Sequence, residues 1–191
     1  MTETRLRPTL VTPRLILRPP IIDDMPAWSA YCADPEVMRN NGGVKSRERV
    51  FTDFRNSIPL WRQHGVHIFS VLLRETGEWI GRVGPGWNPA WPGRELGWGL
   101  ASRYWGRGYA TEAATACLDF VFDRLAWEEV IHTFKPDHAV SRAVALRLGS
   151  MRRGEVNLPP PFDDGVRELW CQTRDDWLRR RMRLDAVPQP A

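Results

Sequence analysis

The chain has 191 residues, with 27 basic and 23 acidic side chains for a formal charge of +4, 42% hydrophobic and 26% charged residues. These values exclude collagen-like, coiled-coil and wholly disordered classes, and at roughly 150 residues per domain they fit one domain with an ordinary core. Residues 1–185 read as that single domain, and 186–191, which hold two prolines, as a disordered tail.

Apart from Lys45 and Lys135 every basic residue is Arg, and only Arg179-Arg180-Arg181 forms a block. Scattered charge excludes a dedicated nucleic-acid arm, while a small polyanion suits the basic balance. Cys32, Cys117 and Cys171 are odd in number and lie far apart, which predicts free thiols in a reducing compartment. The N-terminus has no apolar run of the signal-peptide kind and no stretch approaches the ~20 apolar residues of a membrane span, so the expected location is cytoplasmic.

In chain order, Arg14 to Arg18 reads as a strand closed by Pro19-Pro20. Asp23 or Asp24 then caps a helix through Trp28, Tyr31 and Cys32. Ser46 caps a second helix with an apolar stripe at Val50, Phe54, Ile58 and Trp61, which Pro59 is expected to kink or divide. His67 to Leu73 and Trp79 to Val83 form a hairpin, and residues 84–93, rich in Pro and Gly, read as a loop carrying Trp87 and Trp91. A fourth strand covers Arg94 to Leu100, a helix about Ala110 to Leu125, and a fifth strand Val130 to Phe134. A short helix from Ser141 to Leu148 stops at Gly149, and strands near Met151 to Val156 and Arg167 to Thr173 follow. Strands first paired by hairpins and then alternating with helices predict an α+β layer fold.

The chemistry-bearing stretch is Glu95 to Ala113, where a strand enters a loop containing Gly106-Arg107-Gly108 that opens onto a helix. Converging backbone N–H groups and the positive end of a helix dipole favour a phosphate or pyrophosphate there. A nucleotide P-loop would need Gly-Lys-Ser/Thr and a dinucleotide fold Gly-x-Gly-x-x-Gly, and neither is present. Period-two alternation places Glu95 on one face with Gly97 and Gly99, as a general base or as a carboxylate paired with Arg94 or another Arg. His64 and His67 lack the helix and further ligands of a metal site, so no metal is expected.

Several ordered segments together resemble the GNAT superfamily of N-acetyltransferases, in particular the Rim-type branch that acetylates the N-termini of ribosomal proteins. They are Thr12 to Arg18, Ile80-Gly81, Glu95 to Trp98, Trp105 to Ala113, Pro136 to Ser141, and Leu148-Gly149. The resemblance covers about Thr12 to Trp177. It implies a mixed, mostly antiparallel sheet splayed between its fourth and fifth strands, with helices on both faces and acetyl-CoA in the splay.

By that resemblance the backbone of Trp105, Gly106, Arg107, Gly108, Tyr109, Ala110 and Thr111 holds the pyrophosphate, and Gly99, Leu100 and Ala101 pair with the pantetheine arm. Arg103 or Arg107 can meet a phosphate. Ser141 contacts the cofactor, reprotonates its sulfur, or only caps its helix. His138 stands where the family has Asn, as acid or hydrogen-bonding group beside the CoA arm. Ala145 occupies the position of a tyrosine acid found in many members. The implied reaction transfers acetyl from acetyl-CoA to a primary amine, on a protein N-terminus or a small molecule, with a noncatalytic acyl-CoA-binding module and arginine-mediated RNA binding as competing readings. Trp87 and Trp91 wall the acceptor site or cover an edge, and the family leaves room for a homodimer.

Overall fold

The computed structural model describes residues 8–86, 88–160 and 162–185, so Trp87 and the expected tail lie outside the described residues. An eight-stranded sheet runs in the order β1-β2-β3-β4-β5-β6-β8-β7. Its strands are β1 (Leu10–Val11), β2 (Leu15–Arg18), β3 (Phe69–Leu73), β4 (Trp79–Gly86), β5 (Glu95–Leu100), β6 (Glu129–Phe134), β7 (Met151–Val156) and β8 (Arg167–Thr173). All neighbours pair antiparallel except β5 and β6, which share one parallel pair, Glu95 with Ile131. The expected splay is therefore present, between β5 and β6 once the short edge strand β1 is counted.

Helices α1 (Met25–Ala33), α2 (Pro35–Met38), α3 (Arg47–His64), α4 (Tyr109–Asp119), α5 (Ala139–Leu148) and α6 (Arg174–Asp185) cover the sheet. Adjacent residues of β4 divide between two cores, as strand alternation requires. Ile80 joins Leu15, Leu17, Leu96, Leu100 and the apolar face of α4, whereas Trp79 joins Trp28, Tyr31, Met38 and Phe54 of α1 to α3. A buried polar anchor fixes the second layer. The carboxylate of Asp24 accepts from Arg18 at 2.7 and 2.8 Å, from Ile21 N–H at 3.0 Å and from the Ser70 hydroxyl at 2.7 Å. Burial alone would raise the Asp24 pKa, but these donors outweigh it and hold it low. Asp24 therefore ties the entry of α1 to β2 and β3, and it makes no side-chain cap on α1.

Pro59 does not divide its helix, and the loop expected from residue 84 begins later. α3 is continuous over 18 residues with Pro59 inside it. The carbonyl that Pro59 cannot serve is that of Arg55, an exposed residue, so no buried acceptor loses its donor. β4 continues through Gly84, Pro85 and Gly86, which pair with Gly97, Leu96 and Glu95. Pro85 points its nitrogen toward β3, whose pairing with β4 has already ended at Phe69–Val83, so no ladder bond is lost. Hydrophobic patterning does not mark α2 and α6. α2 is one turn long, capped by the Asp34 carboxylate on Glu36 N–H at 2.9 Å. α6 docks through the Trp177 indole on Asp119 at 2.9 Å. The three cysteines are buried free thiols, and no helix among the described residues is long and apolar enough to cross a membrane.

Candidate active site

The backbone of β5 is committed to β4 through its odd-numbered residues. Ala101 N–H donates to Ile80 O at 2.9 Å, and alternation carries the pattern back through Gly99, Gly97 and Glu95. The peptide groups of the even-numbered residues therefore turn toward β6. One rung is made there, Ile131 N–H to Arg94 O at 2.9 Å. In a continuing parallel ladder the next would join Thr133 N–H to Leu96 O. Instead Thr133 N–H donates to Glu95 Oε1 at 3.1 Å, and His132 Nδ1 donates to Leu96 O at 2.7 Å. A carboxylate and an imidazole thus replace one backbone hydrogen bond, and the two strands part from that rung onward.

Both side chains are tuned by this position. His132 is 1% exposed, and burial pushes its pKa down to about 4 against the opposing effect of the Leu96 carbonyl. A carbonyl only accepts, so Nδ1 carries the proton and Nε2 faces the Ser150 hydroxyl at 3.1 Å, which lies 3.3 Å from Gln172 Oε1. Glu95 Oε1 also accepts the Thr133 hydroxyl at 2.5 Å. Burial raises the Glu95 pKa, and the Thr133 donors, the Trp91 indole and Arg167 only partly offset it.

A cavity of about 280 Å³ opens at this point. Its walls bring Glu95, Gly97 and Trp98 of β5 together with His138 and Ser141 at the start of α5. Trp91 and Phe162, in edge-to-face contact at 5.5 Å, stand on another side. Tyr31, Asn40, His67 and Arg82 also line it, with Arg82 beside Trp28 and Tyr31 of α1. A Cβ added at Gly97 would meet nothing within 4 Å, so the glycine leaves space open along β5. Burial lowers the pKa of His67 to about 4 and also lowers that of His138, so neither imidazole carries charge at neutral pH.

Beyond the cavity, Gly106 and Gly108 both take positive φ, +74° and +78°, which turns the chain sharply into α4. The helix closes its first bond from Glu112 N–H to Gly108 O at 3.0 Å, so the preceding amides have no helical acceptor. A Cβ at Gly106 would meet nothing within 4 Å, which leaves room for an anion over those amides. The loop is braced from outside. Arg14 donates through Nε to Glu112 at 2.6 Å and through Nη1 to Arg107 O at 3.0 Å, while the Thr12 hydroxyl donates to Glu112 at 2.6 Å.

The sequence profile of the acetyltransferase (GNAT) domain matches residues 14–151, a span that contains the β5–β6 splay, the glycine turn and the Glu95, His138 and Ser141 wall of the cavity. The chain belongs to the GNAT acetyltransferase family. It is an acetyl-CoA-dependent acyltransferase, as that family membership establishes. This GNAT protein is 29% identical over 151 residues to the N-acetyltransferase p20 of Bacillus licheniformis, covering 76% of this chain and 84% of that one. An acetyltransferase from Agrobacterium tumefaciens str. C58 superposes with a TM-score of 0.76 at 34% identity, over 86% of this chain and 94% of that one. The ribosomal L7/L12 alpha-N-protein acetyltransferase RimL, solved with coenzyme A, shares the fold with a TM-score of 0.72 at 18% identity, over 88% and 99% of the two chains.

Within this GNAT fold, Glu95, His138 and Ser141 fall on one cavity, while Gly106 to Thr111 form the glycine turn and the start of α4. Three details differ from the sequence reading. Glu95 is hydrogen-bonded to Thr133, and among the described residues no arginine lies within ion-pair distance of it. Ser141 lies inside the first turn of α5, which begins at Ala139, and its hydroxyl accepts the Trp98 indole N–H at 3.3 Å, so it is not a cap. Leu100 O accepts the Trp105 indole at 2.8 Å, and Ala101 N–H is held by β4, so the groups directed into the gap are the Trp98 peptide and Leu100 N–H.

Arg103 is in an ion pair with Glu78 at 2.9 Å. Trp91 is among the residues that line the cavity, and Ala145 is fully buried against Phe134 and Trp170. Sequence reasoning missed His132, Thr133, Arg82 and Arg14. Only Arg14 carried a signal, its place in the Thr12 to Arg18 segment.

Proposed function

We propose that the protein transfers acetyl from acetyl-CoA directly to a primary amine within a ternary complex, and that residues 1–185 act as one domain in doing so. The observation that carries this reading is the cavity at the replaced rung, with Glu95, His138 and Ser141 on its walls and the open peptide of Trp98 beside it. In this reading the amides from Gly106 to Thr111 hold the pyrophosphate, and the Trp98 peptide with Leu100 N–H pairs with the pantetheine arm. A donor aimed at the thioester oxygen there stabilises the charge that develops on it. Glu95 takes the proton of the attacking amine, directly or through water, and its raised pKa suits a base working near neutrality. An α-amino group costs about 1 kcal/mol to deprotonate at pH 7 and a lysine about 4.6 kcal/mol, so the α-amino group needs less help.

Two variants test the two halves. Gly108→Val forces a β-branched residue to φ +78° at the entry of α4, and CoA affinity by calorimetry should fall at least tenfold. Unchanged affinity would remove the loop assignment. Glu95→Gln keeps an acceptor for Thr133 N–H but cannot take a proton. Turnover should fall about a hundredfold at pH 8, and the rise of kcat/KM with pH that Glu95 sets should disappear. The same exchange has a stability signature. Relative to the variant, the wild type should carry a stabilising contribution from Glu95 that is lost as pH rises from 4.5 through the raised Glu95 value. CoA binding with no thiol release on any amine would point to the noncatalytic module.

A further inference from the structure

We propose that the acceptor is a small primary amine that also carries a carboxylate, and that Arg82 binds that carboxylate. The inference rests on the acetyl-transfer reading and names its substrate class. Arg82 lies on β4 opposite Gly99, on the face covered by α1, and lines the cavity. Its guanidinium carbon sits 5.5 Å from the Trp28 ring centre and 5.6 Å from that of Tyr31, so aromatic faces flank the cation.

Among the described residues Arg82 has no carboxylate within ion-pair distance. Asp53, the carboxylate that acts on it through space, is already bonded to Lys45 at 2.7 Å and Arg49 at 2.9 Å. The other arginine of the cavity, Arg167, is engaged by Asp164 at 2.9 Å. Arg82 is thus the cation of the site with no counter-ion of its own.

A guanidinium drawn out of water calls for an anion, and a carboxylate matches its paired donors. Asn40 adds a polar residue to the lining of the same cavity. Glu95 lies on the same face four residues along the paired strands, about 13 Å by strand geometry, so the two side chains can address opposite ends of one small molecule. The 280 Å³ volume stands at the lower end of ligand pockets, which favours an acceptor of amino-acid size over a folded protein surface.

The test measures kcat/KM at saturating acetyl-CoA for a panel of amino acids, each beside its carboxamide and its decarboxylated amine. Against the carboxamide, a carboxylate lowers the share of neutral amine, so a preference for the free acid over its amide cannot come from basicity. The wild type should favour the acids by at least 30-fold over the amides. In Arg82→Gln that ratio should collapse to under threefold, and Arg82→Lys should retain part of it.

A binding measurement covers the case of a misfolded variant. With CoA present, N-acetyl amino acids should raise the wild-type melting temperature, and N-acetyl amino-acid amides should not. Equal turnover of acids and amides, or turnover confined to peptides, would overturn the inference and leave acetyl transfer standing. CoA binding with no amine turned over and no thermal shift would overturn acetyl transfer, and this inference with it.

Discussion

His132→Ala is expected to lower unfolding stability by about 4 kcal/mol, from the cavity it leaves and from stripping the Leu96 carbonyl of its donor. For a chain of this size that is a fall of roughly 8–16 °C in melting temperature. Denaturant melts at pH 7.5 measure it, and a loss below 1 kcal/mol would mean that the imidazole does not hold the rung. A pH signature accompanies the loss. The imidazole binds a proton in the unfolded chain below 6.5 but in the folded protein only near 4. The stability that this imidazole contributes should therefore be complete above pH 6.5 and fall as pH drops toward 4, by about 3 kcal/mol. His67 titrates in the same window with the same sign, so His132→Ala should remove only part of the slope.

The second large effect belongs to Gly81→Ala. A Cβ there would stand 2.4 Å from the Gly99 carbonyl oxygen, 2.6 Å from Leu100 Cδ2 and 2.8 Å from Leu100 Cα. Backbone atoms cannot swing aside, so β4 and β5 must separate, at a cost of about 3 kcal/mol. The strain falls on the stretch of β5 that borders the splay, and CoA binding should weaken along with stability. Gly97→Ala is the control, since its Cβ meets nothing within 4 Å, and stability should change by less than about 0.5 kcal/mol. Equal melting points for the two variants would contradict the packing described at Gly81.

The strand, glycine turn and helix from Glu95 to Ala113 were legible because their signals are local: alternation, two glycines and a helical pattern follow one another in sequence. The replaced rung was not. Glu95 and Thr133 stand 38 residues apart, and His132 and Leu96 36 apart, and nothing in either neighbourhood announces the meeting. Arg82 is one arginine among twenty-five, and only tertiary placement separates it from the surface ones. Arg14 and Glu112 meet across 98 positions. The proline errors have a shared cause, since a missing N–H matters only where a buried acceptor waits for it. At Pro59 and Pro85 the structure places none.

The gap between β5 and β6 also bears on how the protein survives while empty. A strand edge with open donors and acceptors is a template for another chain, and edges of that kind seed aggregation. Here the inner edge of β5 presents few acceptors, because the His132 imidazole covers Leu96 O and the Trp105 indole covers Leu100 O. An invading strand would need acceptors at alternate residues and would find two of the three already taken. The same side chains that hold the strands apart therefore keep the opening from being filled by a neighbouring molecule.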